Sequence, residues 1–173
     1  MSKYKMPYHF VEYCDRNSIY RKHVDDLIQK IETYIALPGR IYEVGCGEGL
    51  ILTKLRECGY ETGGNDSDSA AVRMANDLGS WVEESSDRYL RPIEHCKAVL
   101  FSDSLEHLDY FKEHIDWAKR SADFVVIAVP DRHDRHGLRD FDIDSFDDIF
   151  KGWECVHRAT RHARHLLVFK REA

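Results

Sequence analysis

Nothing in this chain restricts its fold as much as residues 40–55. There Arg40-Ile41-Tyr42-Glu43-Val44 runs into Gly45-Cys46-Gly47-Glu48-Gly49 and then Leu50-Ile51-Leu52-Thr53-Lys54-Leu55. The order is a short apolar strand, an acidic residue, a glycine-rich turn and a helix, which is the ligand-binding turn of a doubly wound α/β domain. Glycines at 45, 47 and 49 let the backbone turn tightly and approach a ligand without Cβ obstruction. A helix starting near Gly49 offers free N–H groups and a partial positive end to an anionic group. A dinucleotide fingerprint places a third small residue at position 50, so that the helix packs close on the sheet, and this chain has leucine there.

The rest of the chain alternates in the same manner. Ile19, Val24, Leu27, Ile28, Ile31 and Ile35 recur at helical spacing, predicting an amphipathic helix that ends before Pro38-Gly39. Residues 59–66 read as a second strand. Ser67 is then the expected cap of a helix carrying Ala71, Met74, Ala75 and Leu78. Residues 81–83 predict a third strand and 98–101 a buried fourth. A helix over 106–121 follows, with Leu108, Phe111, Ile115 and Ala118 on one face. The apolar run 124–129 has the character of a central strand covered on both faces. Ile143, Phe146, Ile149 and Phe150 mark another helix. Residues 153–158 and 165–170 then form an antiparallel hairpin across 159–164.

A chain of 173 residues holds one domain with a substantial core. With 43% hydrophobic and 32% charged residues it is globular, not disordered. Its longest apolar run is far short of a membrane span, and Met1-Ser2-Lys3-Tyr4-Lys5 lacks the apolar core of a secretory signal. The five cysteines (14, 46, 58, 96, 155) are odd in number and never spaced C-x-x-C, which predicts a reduced cytoplasmic protein with no structural zinc. Net charge is −6, which argues against sequence-independent binding of a polyanion. The sign is uneven, with six Lys/Arg against two Asp/Glu from Lys151 onward and 19 against 29 before it. That basic end is compatible with an acidic or phosphorylated acceptor, although such an end is more often simply a solvated edge.

An acid followed by G-x-G-x-G resembles motif I of class I S-adenosylmethionine (SAM)-dependent methyltransferases. The order of strands and helices is similar to theirs over about residues 20–171. The resemblance implies a doubly wound α/β fold, seven-stranded and mostly parallel with an antiparallel last strand (the Rossmann-like methyltransferase fold). It places a single domain at 19–173 behind an N-terminal arm, 1–18, that is a candidate lid. It implies SAM as cofactor and S-adenosylhomocysteine as product. Glu43 would receive the ammonium of the cofactor, and Gly45, Cys46 and Gly47 would cradle it. Asp66, 21 positions after Gly45, lies where an acid holding the ribose hydroxyls belongs, and Gly64-Asn65-Asp66-Ser67 looks like the G-x-D-x turn of the small-molecule families. After the third strand Glu84, Ser85, Ser86 and Asp87 are candidates for the adenine amino group, with Ser86 or Asp87 preferred.

The segment Ser102-Asp103-Ser104-Leu105-Glu106-His107-Leu108 resembles the S-x-x-L-E-H-L stretch after strand four in those families. Ser102 and Asp103 would lie under the reactive methyl and His107 would begin the next helix. The D/N/S-P-P-Y-type tetrad of amino-methylating DNA enzymes is missing, which removes nucleobase N-methylation from the leading options. His136, with Arg139 and Phe141, resembles the H-x-x-R-x-F pattern of the loop after strand five. His107 and His136 are therefore the candidate catalytic groups, because imidazole titrates near working pH and can take a proton as methyl transfers. The expected activity is methyl transfer to an O or N atom of a small molecule by a monomer or homodimer, with nucleic acid and membrane disfavoured as partners. One alternative is a SAM-binding but non-catalytic partner or sensor. Another is a metal-dependent RNA 2′-O-methyltransferase, since Asp103-x-x-Glu106-His107 resembles the E-x-x-E-H…H metal site of small-RNA enzymes. Asp replaces the first Glu there, and L-E-H-L occurs in metal-free relatives, so no metal is expected.

Overall fold

The computed structural model describes residues 8–86, 90–131 and 141–172. Its strands are β1 (Arg40–Val44), β2 (Glu61–Asp66), β3 (Trp81–Glu84), β4 (Cys96–Ser102), β5 (Ala122–Pro130), β6 (Trp153–Arg161) and β7 (Arg164–Arg171). They form one sheet in the order β3-β2-β1-β4-β5-β7-β6. The pairings from β3 to β5 are parallel, and β7 runs antiparallel to both β5 and β6. The helices are α1 (Tyr8–Cys14), α2 (Ile19–Tyr34), α3 (Leu50–Glu57), α4 (Ser69–Asp77), α5 (Phe111–Ser121) and α6 (Ser145–Ile149). This is the doubly wound, mostly parallel sheet that the sequence predicts. The strand order reverses between β1 and β4, so a crevice opens at their carboxyl ends, where such sheets bind ligands.

Side-chain alternation along the central strands sorts the core into two layers. Tyr42, Val44, Val99, Phe101, Val125 and Ile127 face one way, packing with Ile115 and Ala118 of α5 and with Phe146. Ile41, Ala98, Leu100, Val126 and Ala128 face the other way, against α2 and α3. Being covered on both faces is why β5 reads as a continuous apolar run. Helix α2 buries Val24, Leu27 and Ile31 completely. At about 1.5–3 kcal/mol for each such side chain, these three fix α2 to the sheet far more firmly than its end cap does, a cap being worth about 1 kcal/mol. In that cap, Ser18 Oγ accepts from the Tyr20 N–H at 3.1 Å. Helix α1, by contrast, has no fully buried residue.

Three local expectations need correction. The helix foreseen over 106–121 is two pieces, a single 3₁₀ turn at Leu105–His107 and then α5. Leu108 leaves the helical region (φ −87°, ψ 119°), and the break lets Leu105 and Glu106 turn inward while His107 stays half exposed. The cap of α4 is Asp68, not Ser67, because the Asp68 carboxylate accepts from the Ala70 N–H at 2.8 Å. The hairpin strands also run further than predicted, leaving only His162 and Ala163 as the turn. Both have positive φ (51° and 58°), the conformation usually taken by Asn-Gly, so neither residue signals a tight turn in the sequence.

Candidate functional site

The turn after β1 is held in shape from two sides. The Gly45 and Cys46 N–H groups donate to Asn65 O at 2.9 and 3.0 Å, which ties the turn to the end of β2. Gly45 lies in the left-handed region (φ 72°), and a Cβ there would come within 2.7 Å of Ser104 Cβ. Only glycine therefore lets the turn close against the end of β4. Gly47 also has positive φ (53°), and its N–H donates to Asp66 Oδ2 at 2.8 Å. Asp66 Oδ1 accepts from the Asp68 N–H at 2.8 Å. Burial raises the Asp66 carboxyl, and these backbone donors counter part of that rise. Helix α3 then starts behind Gly49, which has no side chain to cap its first turn.

A cavity of about 290 Å³ opens over this turn. On its floor Glu43 is only 2% exposed, and its Oε2 has no hydrogen-bond partner. Burial pushes the Glu43 carboxyl well above its ordinary range, and the nearby charges of Asp66 and Asp103 push the same way. Glu43, Gly45, Cys46 and Gly47 line the cavity from β1, and Asp66 and Ser67 from β2. Ser86 lines it beyond β3, and Ser102, Asp103 and His107 line it beyond β4. The structure thus gathers these sequence-predicted residues around one space. Asp87, His136 and Arg139 lie outside the described residues.

Asp103 is held in an unusual state. Its backbone is left-handed (φ 49°), its N–H donates to Ala128 O at 2.9 Å, and its Oδ1 accepts from Arg164 Nε at 2.6 Å. The start of β7 thereby clamps the carboxylate that closes β4. Beside it Ser104 Oγ is buried without a partner. His107 Nε2 lies 3.9 Å from Glu106 Oε1. Among the described residues no group of three or more His, Cys, Asp and Glu is arranged to hold a metal ion.

Several wall residues belong to none of the motifs read in the sequence. Tyr20 reaches the cavity from α2, and its phenol is raised well above its ordinary range by burial, then by the Asp103, Glu43 and Glu48 carboxylates. It is accordingly a neutral hydroxyl able to donate. His114 lines the wall from α5, where its Nδ1–H donates to Tyr110 O at 2.8 Å. His9 arrives from α1 and bonds the wholly buried Glu48. Asn65, one position before Asp66, donates through Nδ2 to Ser85 Oγ. The His9–Glu48 and Asn65–Ser85 contacts join segments 39 and 20 positions apart, whereas the His114–Tyr110 bond is local. The described lining includes four carboxylates (Glu43, Asp66, Asp68, Asp103) and no lysine or arginine, with Arg164 of β7 engaging Asp103, and this excess of acidic groups favours a cationic ligand.

A family model described as a methyltransferase domain matches residues 16–172. No curated protein sequence matches the chain. Solved structures resemble it at low identity. The magnesium protoporphyrin IX methyltransferase from Synechocystis PCC 6803 with bound S-adenosylhomocysteine has a TM-score of 0.76 and 16% identity, covering 89% of this chain and 84% of that one. The amino pentose methyltransferase from Micromonospora echinaspora, involved in calicheamicin biosynthesis and solved with SAM, has a TM-score of 0.73 and 14% identity, covering 99% and 100%. A 16S rRNA methyltransferase in complex with S-adenosyl-L-homocysteine has a TM-score of 0.66 and 17% identity, covering 94% and 72%. At such identities the likeness is one of fold.

Proposed function

From a chain that belongs to the SAM-dependent methyltransferase family, we propose an enzyme that binds SAM in the cavity over Gly45–Gly47 and methylates an O or N atom of a small molecule. The observation that carries this reading is Glu43: a buried carboxylate with an unpartnered oxygen, set beside a glycine turn that Asp66 locks open. A cationic ligand supplies what that oxygen lacks. Glu43 would take its ammonium, and the turn with Cys46 would take its amino-acid head. Asp66 and Ser67 would hold the sugar, as each Asp66 oxygen keeps a lone pair beyond its backbone bond. Ser86, with Asp87, would meet the adenine, and Ser102 and Asp103 would face the reacting end.

Bound there, the cofactor supplies an electrophilic methyl group on a sulfonium. The protein would contribute mainly alignment of the acceptor, which can be worth several powers of ten in rate. His107 lines the cavity and would accept the proton lost by a hydroxyl or ammonium acceptor, with His136 as the second candidate base. A small acceptor is supported by the short connection between β4 and α5 and by the net charge of −6, which disfavours polyanions. The three related enzymes act on a porphyrin, an amino sugar and an rRNA. A metal-dependent RNA enzyme is disfavoured because Arg164 already engages Asp103, the residue standing where a first metal ligand would be.

We take 19–173 as the catalytic domain and 1–18 as an arm over the cofactor. Calorimetric titration with SAM and S-adenosylhomocysteine, followed by an acceptor screen that detects S-adenosylhomocysteine release, tests the whole reading. Absence of heat with both compounds overturns it. Binding with no turnover across the screen favours a SAM-retaining partner protein instead.

A further inference from the structure

Glu48 sits in the middle of the glycine turn and is completely buried. Removing a carboxylate from water costs several kcal/mol unless it is paired and hydrogen-bonded. Both partners come from one place. The Tyr8 N–H donates to Glu48 Oε1 at 3.0 Å, and His9 Nδ1 bonds Oε2. Burial alone would raise the Glu48 carboxyl, but the donors from His9, Tyr8 and its own backbone outweigh it and hold the group below its ordinary range. The pair spans 39 positions of sequence.

The same imidazole lines the cavity. Its Cε1 and Nδ1 lie 3.2 and 3.3 Å from where a Cβ on Gly47 would be, so the ring rests directly over the turn. Tyr20, another wall residue, has its ring centroid 5.6 Å from that of His9. Other contacts of α1 lie elsewhere along the helix, such as Ser18 Oγ donating to Glu12 Oε1 at 3.1 Å. Phe10 and Tyr13 are only partly buried, and Tyr13 OH donates to Asp25 of α2 at 2.7 Å, away from the turn.

We propose that His9 is part of the cofactor-binding wall and that Glu48 is the positioning residue that holds it over Gly47. This rests on the reading of the cavity as the SAM site and adds to it a ligand contact from α1. The glycine turn then has a second purpose besides open backbone. Its one charged side chain points away from the ligand and anchors the helix that covers it.

The test is calorimetric titration of the full chain with S-adenosylhomocysteine, for wild type, His9→Ala, Glu48→Gln and the double variant. Each single change is expected to weaken binding roughly tenfold, the effect of losing one good hydrogen bond or its alignment. The double variant should bind no more weakly than the weaker single, since Glu48 acts through His9. Hydrogen–deuterium exchange on wild type needs no variant to fold, and saturating S-adenosylhomocysteine should slow exchange across residues 8–14. The proposal is overturned if His9→Ala binds within twofold of wild type, if the two losses add, or if exchange in 8–14 ignores the ligand. A wild-type chain that takes up no S-adenosylhomocysteine sinks the cofactor reading together with this one. Wild-type binding that His9→Ala leaves intact sinks this one alone.

Discussion

At Glu43 a carboxyl with almost no exposure stands in the field of Asp66 and Asp103, so its charged form is disfavoured whenever no cation faces it. The folded carboxyl titrates above its unfolded value, and the folded state therefore holds that proton more tightly. The resulting stability is fully present below the ordinary glutamate value of about 4.3 and is lost as pH rises through the raised one. Glu43→Gln should flatten this fall, giving a ligand-free protein that melts higher than wild type at the alkaline end of the range. The same change should weaken SAM binding by roughly ten- to a hundredfold and remove its tightening with pH. Melting curves and titrations across pH check both signs, and a variant that loses stability while keeping affinity contradicts the assignment. Asp66 differs, because its oxygens already serve the fold. Asp66→Ala strips the acceptor from the Gly47 and Asp68 N–H groups, which should destabilise the chain by roughly 1–3 kcal/mol in denaturant unfolding as well as abolish binding. Unchanged stability would mean that the turn is held by something else.

Among the elements, the β6–β7 hairpin carries a visible strain. His162 and Ala163 both occupy the left-handed region, where a residue with Cβ is disfavoured by about 1–2 kcal/mol. Replacing the pair by Asn-Gly should remove part of that, raising stability by about 1 kcal/mol and the melting temperature by about 2–4 °C for a chain of this size. No gain would show that the positive φ angles are imposed by Arg164, which bonds both Ala163 O and Asp103. Such elements also show where the sequence was legible. β1, β4 and β5 were readable because apolar runs bounded by turn residues have few other uses. The hairpin turn was not, because it is built from residues that do not advertise it. The break between His107 and α5 was hidden for another reason: Leu108, Phe111, Ile115 and Ala118 keep helical spacing across it, so periodicity alone cannot show a kink.

Across the whole molecule the candidate site divides the same way. The part made by one continuous segment, Glu43 to Gly47, and the acid at the next strand end could be found by spacing. The part made by packing could not, because His9, Tyr20 and His114 come from three different helices that only the folded chain brings to one cavity. That geometry makes a last prediction about how binding spreads. The cavity touches the ends of β1, β2 and β4 but none of β6 or β7. A ligand that binds only the folded chain, present at a hundred times its Kd, stabilises it by about 2.7 kcal/mol. For a chain of this length that corresponds to a rise in melting temperature of roughly 5–10 °C with S-adenosylhomocysteine. The added protection from hydrogen exchange should gather at residues 8–14, 43–50, 65–68 and 102–107, while 153–161 exchanges as before, because local opening there breaks no ligand contact. A melting shift accompanied by uniform protection, or by protection centred on the hairpin, would place the ligand elsewhere than over the glycine turn.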